Sequence, residues 1–455
     1  MEIYDRELKG MLLFSILATS LGWKVFLGSK ASIFSRLNFL PEGFVLLKSI
    51  VPGEVNIQKS IIESGHKVIT LDAEGLLPSN GESGVLLRFS NESICHTEKV
   101  FLWGNEQYDQ LMSIFSEHSS KFEVTGSPYM DVWNLNKRKG YATTQSRNKI
   151  VIASSFPYPN HFVSNKSAIQ AVYSASDNNS SNEYFDEIFL DEKLQSFVFP
   201  QFKNLVLYLV DSLPEYNFIL RPHPSENSEV WREILNGYKN VTLNETGSIS
   251  TLLLETDYLI HFNSTTSIEA TLYNKNVLTY LPNSIPKDLS SRLNKYALMC
   301  STTFTHKETM LDFIVTGQIT KKDTSEFNSI MHQYDDTGIG QSSKNILHSI
   351  SSLDLPVVTR VERSSFFIDF NILFFKKLLS YSIGFLDYKF KLFFGRYSDR
   401  YKGYLYGKKK QPDISLSFIK ELAGDFYHPL GLNPKDIHIS SYAKNLFIFS
   451  KKLLK

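Results

Sequence analysis

The sequence predicts an α/β protein of two parallel-sheet domains followed by a C-terminal helical extension. Three observations carry that expectation. Helical periods alternate with short apolar strands over about the first 350 residues. The polar, basic stretch "NKRKGYATTQSRNK" (136–149) interrupts the alternation once. After residue 355 the composition turns aromatic and basic. A chain of 455 residues also exceeds what one ordinary core organises. The expected domains are 1–140, 148–355 and an extension over 356–455.

The first domain opens with an acidic start, a helix from Glu7 to Leu21, Gly22 as its stop, and the strand "WKVFLG". The same order returns in "QKSIIESGHKVITLDAEG", with Gly65 ending the helix and "KVITLD" as the strand. "KVFLWG" and "KFEVTGSP" read as two further strands. The second domain begins at "IVIASS" and continues through a helix over 200–213 and the strands "NFILRPHP", "VTLNE", "YLIHFN" and "NVLTYL". "SASDNNSSNEYFDE" (174–187) reads as a surface loop. Strand–helix alternation in both halves predicts two Rossmann-like domains facing each other across a cleft, the GT-B arrangement.

Composition narrows the function classes. Forty-eight basic against 47 acidic residues give a formal charge of +1, so no global field calls for nucleic acid. Two cysteines, Cys95 and Cys300, cannot build a disulfide framework and fit a reducing cytoplasm. "MEIYDRELKG" has acids where a secretion signal has basic residues, and "MLLFSILATSLGW" is short for a span of about 20 residues. The expectation is a cytoplasmic protein, free or peripheral on the inner face of the membrane.

Two segments of the second domain carry the candidate chemistry. "FILRPHPSE" sets Arg221 and His223 in a proline-stiffened turn at a strand end, where α/β sheets bind ligands. "HFNSTTSIEA" places Ser264, Thr265 and Thr266 between a strand and a helix start, with Glu269 in the first turns. Each segment alone also reads plainly, as a solvated turn and as helix capping. Together a cationic turn and a hydroxyl-rich helix start suit a phosphate, and the Glu269 carboxylate suits ribose hydroxyls. Asn160 and His161 of "SSFPYPNHF" stand at the mouth of the domain's first strand. No D-x-D, G-x-G-x-x-G, Walker, H-E-x-x-H or zinc pattern occurs, so no metal site or cofactor is expected. In the first domain Asp72 and Glu74 follow a strand, and Asp131 follows a Gly-Ser-Pro turn. These three read as cleft acids, or as solvated acids and, for Asp131, a helix cap.

Taken in order, these motifs resemble the bacterial surface-carbohydrate (lipopolysaccharide and capsule) biosynthesis proteins that include retaining β-Kdo transferases of GT-B fold. The likeness runs through Arg6-Glu7-Leu8, "KVFLG", "DAEG", "FLWG", "GSPYMD", "SFPYPNH", the R-P-H-P turn and the Ser-Thr-Thr helix start, over about residues 1 to 350. Ser127 and Tyr129 stand where that family has Asn and Arg, and Ala73 where it has an acid. The resemblance implies a metal-independent glycosyltransferase that moves an ulosonic acid, Kdo from CMP-Kdo, to a lipid-linked glycan acceptor with retention. It implies phosphate binding by Arg221, His223, Ser264, Thr265 and Thr266, and a carboxylate nucleophile. The expected assignment is Asp131 as nucleophile and Glu74 as acid/base, with Asp186 and Asp191 in reserve. Alternatives are another CMP-nonulosonic acid, CDP-glycerol, or a non-catalytic partner in a polysaccharide assembly complex.

Residues 364–410 hold ten basic against three acidic residues among many Phe, Tyr and Leu. They suit either a basic amphipathic surface on an anionic bilayer or a helical brace packed on the domains.

Overall fold

The structure is a computed structural model that describes residues 1, 3–73, 75, 81–86, 88–140, 148–164, 182–319, 340–355 and 399–452. Two compact units divide the chain. The first comprises Met1–Gly75, Arg88–Leu135 and Asn328–Lys455; the second comprises Leu76–Leu87 and Asn136–Phe327. The first unit is therefore discontinuous. The helix Gln341–Ser351, expected in the second domain, belongs to it. The polar stretch expected as the boundary begins inside a helix, Pro128–Gly140, and 141–147 lie outside the described residues.

In the first unit the helix Tyr4–Ser20 carries Asp5 and Glu7 in its first turn, which complements the helix dipole. It stops at Gly22, whose φ of 100° closes a Schellman turn: Gly22 N–H donates to Thr19 O and Trp23 N–H to Ala18 O. β1 (Val25–Gly28), β2 (Phe44–Leu47), β3 (Lys67–Leu71), β4 (Lys99–Leu102) and β5 (Phe122–Val124) follow. β2-β3-β4-β5 form a parallel sheet whose centre, Val68, Ile69, Val100 and Phe101, is buried. β2 carries four consecutive apolar residues, "FVLL", after only a short helix, Lys30–Phe34, and a 3-10 turn, Leu37–Phe39, and the sequence reading does not include it.

β1 does not join that sheet. The second unit supplies β6 (Lys149–Ala153), β7 (Asn217–Arg221), β8 (Val241–Leu243), β9 (Tyr258–His261), β10 (Asn276–Tyr280) and β11 (Thr302–Phe304). The chain then returns to the first unit for β12 (Ile437–Ala443) and β13 (Leu446–Lys451). β1 pairs antiparallel with β13, Val25 opposite Phe449 and Gly28 opposite Leu446, and β12 pairs with the far side of β13. A Cβ on Gly28 would lie 2.8 Å from Asn445 O, so only glycine permits this approach. The C-terminal region is thus not wholly helical. The helices Asp399–Lys410 and Leu416–Tyr427 lead into a hairpin. Its period-2 pattern buries Ile437 and Ile439 and exposes His438. Residues 356–398, most of the basic aromatic stretch, lie outside the described residues.

β6 to β11 form one parallel sheet in the order β11-β10-β9-β6-β7-β8. The helix Asn182–Ser212 lies against it, beginning well before the expected residue 200 and taking in 182–187 of the expected loop. Its inward face (Val198, Phe202, Leu205, Val206, Leu209) packs with Ile150, Ile152, Phe218 and Leu220 of the strands. Each large apolar side chain so buried contributes about 1.5–3 kcal/mol.

Candidate functional site

Strand order decides where a ligand would bind. From β6 the chain steps outward through β7 to β8, then returns to lay β9 on the other side of β6 and proceeds to β10 and β11. The direction of winding reverses between β6 and β9. At such a switch point the loops leaving the two strands diverge and open a crevice at their carboxyl ends. The β6 loop carries Asn160 and His161, and the β9 loop carries Ser264, Thr265 and Thr266. His223 leaves β7, the next strand over. These expected residues therefore come from three adjacent strand ends of one sheet.

A buried carboxylate locks two of those loops together. Glu226 is fully buried and accepts five hydrogen bonds. Ser154 Oγ (2.8 Å), Asn160 Nδ2 (3.1 Å) and Trp231 Nε1 (3.0 Å) donate to Oε2. Phe156 N (3.0 Å) and His223 N (3.1 Å) donate to Oε1. Main-chain bonds from Asn227 N to Asn160 O (2.7 Å) and from Phe162 N to Ser225 O (2.8 Å) complete the clamp. Proline stiffens the Arg-Pro-His-Pro turn, and Glu226 ties it to the β6 loop. Ser225 N–H donates to His223 Nδ1 (3.2 Å), which places a neutral ring's proton on Nε2. His161 Nδ1 likewise accepts from Val163 N (3.1 Å).

The β9 loop turns at Asn263, in the left-handed region at φ 52°. Ser264 Oγ accepts Thr266 N–H (3.3 Å) and bonds Thr266 Oγ1 (3.1 Å). Thr265 is half-buried, and among the described residues neither its N–H nor its hydroxyl has a hydrogen-bond partner. Behind the loop His261 is fully buried, and burial pushes its pKa down to about 3.

Several expected roles are corrected. Arg221 does not face a phosphate: Nη1 donates to Asn244 O and Oδ1 and Nη2 to Gly247 O, so its guanidinium holds the loop after β8. Glu269 is buried and accepts the Tyr273 hydroxyl (2.8 Å), which in turn accepts Asn136 Nδ2 (3.1 Å). Burial, with Glu269 beside it, holds the Tyr273 hydroxyl well above its ordinary pKa. Asp191 forms a two-point ion pair with Arg292 (2.8 and 3.0 Å).

Asp131 lies in the first unit, 1% exposed, and caps a distant helix rather than its own. Ser342 N (3.0 Å) donates to Oδ1, and Ser343 N (2.8 Å) and Ser343 Oγ (2.6 Å) donate to Oδ2. With both oxygens so engaged, it is not an open nucleophile. Burial raises its pKa to about 6, against the pull of those bonds and of Lys344. Asp72 is buried too, bonded to Gln107 Nε2 (2.8 Å) and paired with Arg88 (3.1 Å). Glu74 lies outside the described residues, and so does the side chain of Asp186.

The first unit also holds a cavity of about 970 Å³ lined by Phe14, Trp23, Phe26, Phe44, Leu347 and Ile350 among others. None of the expected site residues lines it. Its walls are mostly apolar but include Lys24, Lys30, Lys48 and His66; the expected donor residues gather instead on the strand ends at the switch point, and we place the candidate site there.

Sequence reasoning missed Glu226 as the clamp, together with Ser154, Trp231 and His261. Glu226 falls three residues after His223, the spacing of a side chain that reaches back to a turn's N–H. His261 gave no signal beyond closing an apolar strand.

No protein-family model matches the chain, and no curated protein matches it either. Solved structures do. UDP-GlcNAc 2-epimerase from Neisseria meningitidis bound to UDP-GlcNAc is 16% identical, covering 71% of this chain and 80% of its own, with a TM-score of 0.42. The wall teichoic acid polymerase TagF is 11% identical, covering 70% and 92%, with a TM-score of 0.39. UDP-GlcNAc 2-epimerase from Methanocaldococcus jannaschii is 12% identical, covering 71% and 83%, also at 0.39.

Proposed function

We propose that this chain is a glycosyltransferase of surface-polysaccharide biosynthesis that binds a nucleotide-activated donor in the crevice between the β6 and β9 loops. The observation that carries the reading is the switch point, with Asn160, His161, His223, Ser264, Thr265 and Thr266 on the loops leaving the strand ends around it. His223 Nε2–H and the amide and hydroxyl of Thr265 are donors suited to phosphate oxygens, and the sequence carries no D-x-D for a divalent ion. Glu226 keeps the β6 loop and the His223 turn from collapsing into the crevice. The donor proposed is CMP-Kdo, from the sequence resemblance, and the acceptor is a lipid-linked glycan. Asp131 takes no part in the chemistry.

Among the described residues no helix is long and apolar enough to cross a membrane. We place the enzyme at the inner membrane face through residues 364–410, whose basic and aromatic content favours anionic lipid.

Ligand-dependent unfolding tests the donor site. CMP and CDP raise Tm, NAD and ATP do not, and His223→Ala or Thr265→Ala removes most of the shift. A parent chain indifferent to every nucleotide, or variants that respond as the parent does, would show the site to be misplaced. Incubation with CMP-Kdo and with CDP-glycerol, each with and without EDTA, then identifies the transferred group. Turnover of CMP-Kdo that survives chelation is the expected result; turnover of CDP-glycerol alone would replace the donor assignment.

A further inference from the structure

We propose that His261, a residue with no expected contact to ligand, is the positioning residue that sets the β9 loop for phosphate; the inference rests on the donor-site reading above. His261 ends β9 with its ring wholly inside the protein. Its Nδ1 accepts the Ser264 amide (3.3 Å), and its Nε2 lies 2.7 Å from Ser301 Oγ. Ser301 has one hydroxyl proton, and it goes to Ala297 O (2.5 Å). Ser301 Oγ must therefore accept from His261 Nε2–H. That fixes the tautomer, with the proton on Nε2 and the lone pair on Nδ1 aimed at Ser264.

The same loop is held at a second point. Asn263 Oδ1 accepts Asn294 N–H (2.5 Å), and Asn263 Nδ2 donates to Arg292 O (3.3 Å). Asn294 in turn caps the helix Lys295–Met299 through Tyr296 N and Ala297 N. Residues 292–301 thus form a backing to which both His261 and Asn263 are tied. With the Ser264 amide taken by His261 and the Thr266 amide by Ser264 Oγ, Thr265 presents the unpartnered amide of this turn among the described residues. Since burial keeps His261 neutral to about pH 3, the Nδ1 lone pair persists across the physiological range.

Two conservative variants of the full chain separate the two ring nitrogens. Asn at 261 sets an amide oxygen near the place of Nδ1, whereas Gln reaches toward Ser301 and leaves the Ser264 amide without an acceptor. Both should lose some stability. His261→Asn should bind CMP within about threefold of the parent, and His261→Gln about tenfold more weakly, the worth of one hydrogen bond. Amide exchange across 262–266 should be slow in the parent and in His261→Asn and fast in His261→Gln. Equal losses of binding in both variants, or unchanged exchange in His261→Gln, would overturn the inference while leaving the donor site intact. A parent chain that binds no CMP would instead remove the donor-site reading, whatever the exchange pattern. If either variant fails to fold, Ser301→Ala approaches the same tautomer from its far end. With Nε2 no longer tied, exchange at Ser264 should rise and CMP binding fall; no change in either would equally overturn the proposal.

Discussion

Glu226 and Asp131 are both buried carboxylates, and the structure gives each a separate test. Glu226 meets five donors, two of them backbone amides that cannot rotate away. Glu226→Gln sets an NH2 group against donors at one oxygen or the other. We expect a loss of about 2–3 kcal/mol in denaturant unfolding, the range for bonds to a charged acceptor. A change under about 0.5 kcal/mol, the scale of an ordinary surface substitution, would show that the loops hold without it. Burial pushes the Asp131 carboxyl up to about 6 in the folded state, while the unfolded chain releases the proton near the ordinary value of 3.8. Across that window the folded state binds more protons, so stability falls as pH rises, by up to about 3 kcal/mol. Asp131→Asn should be less stable than the parent at pH 4 and should lack this decline; parallel pH profiles would contradict it. At this scale the sequence made the positions legible and the roles less so. Arg221, Glu269 and Asp131 were found because charged groups near strand ends are conspicuous, but their partners Gly247, Tyr273 and Ser343 lie 26, 4 and 212 residues away.

Strands with their own apolar run and a preceding helix were legible one by one, which is why β3 to β10 matched expectation. β1 was legible as a strand but not in its pairing. It looks like the opening strand of a parallel sheet, yet its partner is an antiparallel hairpin from the far end of the chain. That hairpin brings Phe447 and Phe449 into the first unit's interior, both at most 2% exposed. Phe449→Ala should lower the stability of the first unit by about 3–5 kcal/mol. CMP binding, a property of the second unit on our reading, should persist under native conditions. If unfolding is unchanged, the hairpin is an appendage and not part of the core.

At the scale of the whole molecule, local signals could locate two sheets but not their chain composition. Nothing in residues 1–140 announces that their unit is completed by 341–351 and 437–451, because the information is in which apolar faces meet. Residues 364–410 remain the most unusual composition in the chain. At about 1 kcal/mol per basic residue near an anionic surface, partial engagement of ten such residues suffices for binding that falls with salt. Co-sedimentation with anionic but not neutral liposomes at low salt is the expected outcome. Equal absence from both pellets would leave the brace as the reading of that stretch.

The pairing of β1 with β13 also imposes an order on synthesis. Residues 25–28 leave the ribosome about 420 residues ahead of the strand they pair with. At roughly 5–20 residues per second the wait is about 20–80 seconds. During that interval the β1 edge has no β13 beside it, while Asn136–Phe327, one unbroken stretch, has everything its own sheet requires. A nascent chain of this protein should therefore acquire its middle first and its beginning last.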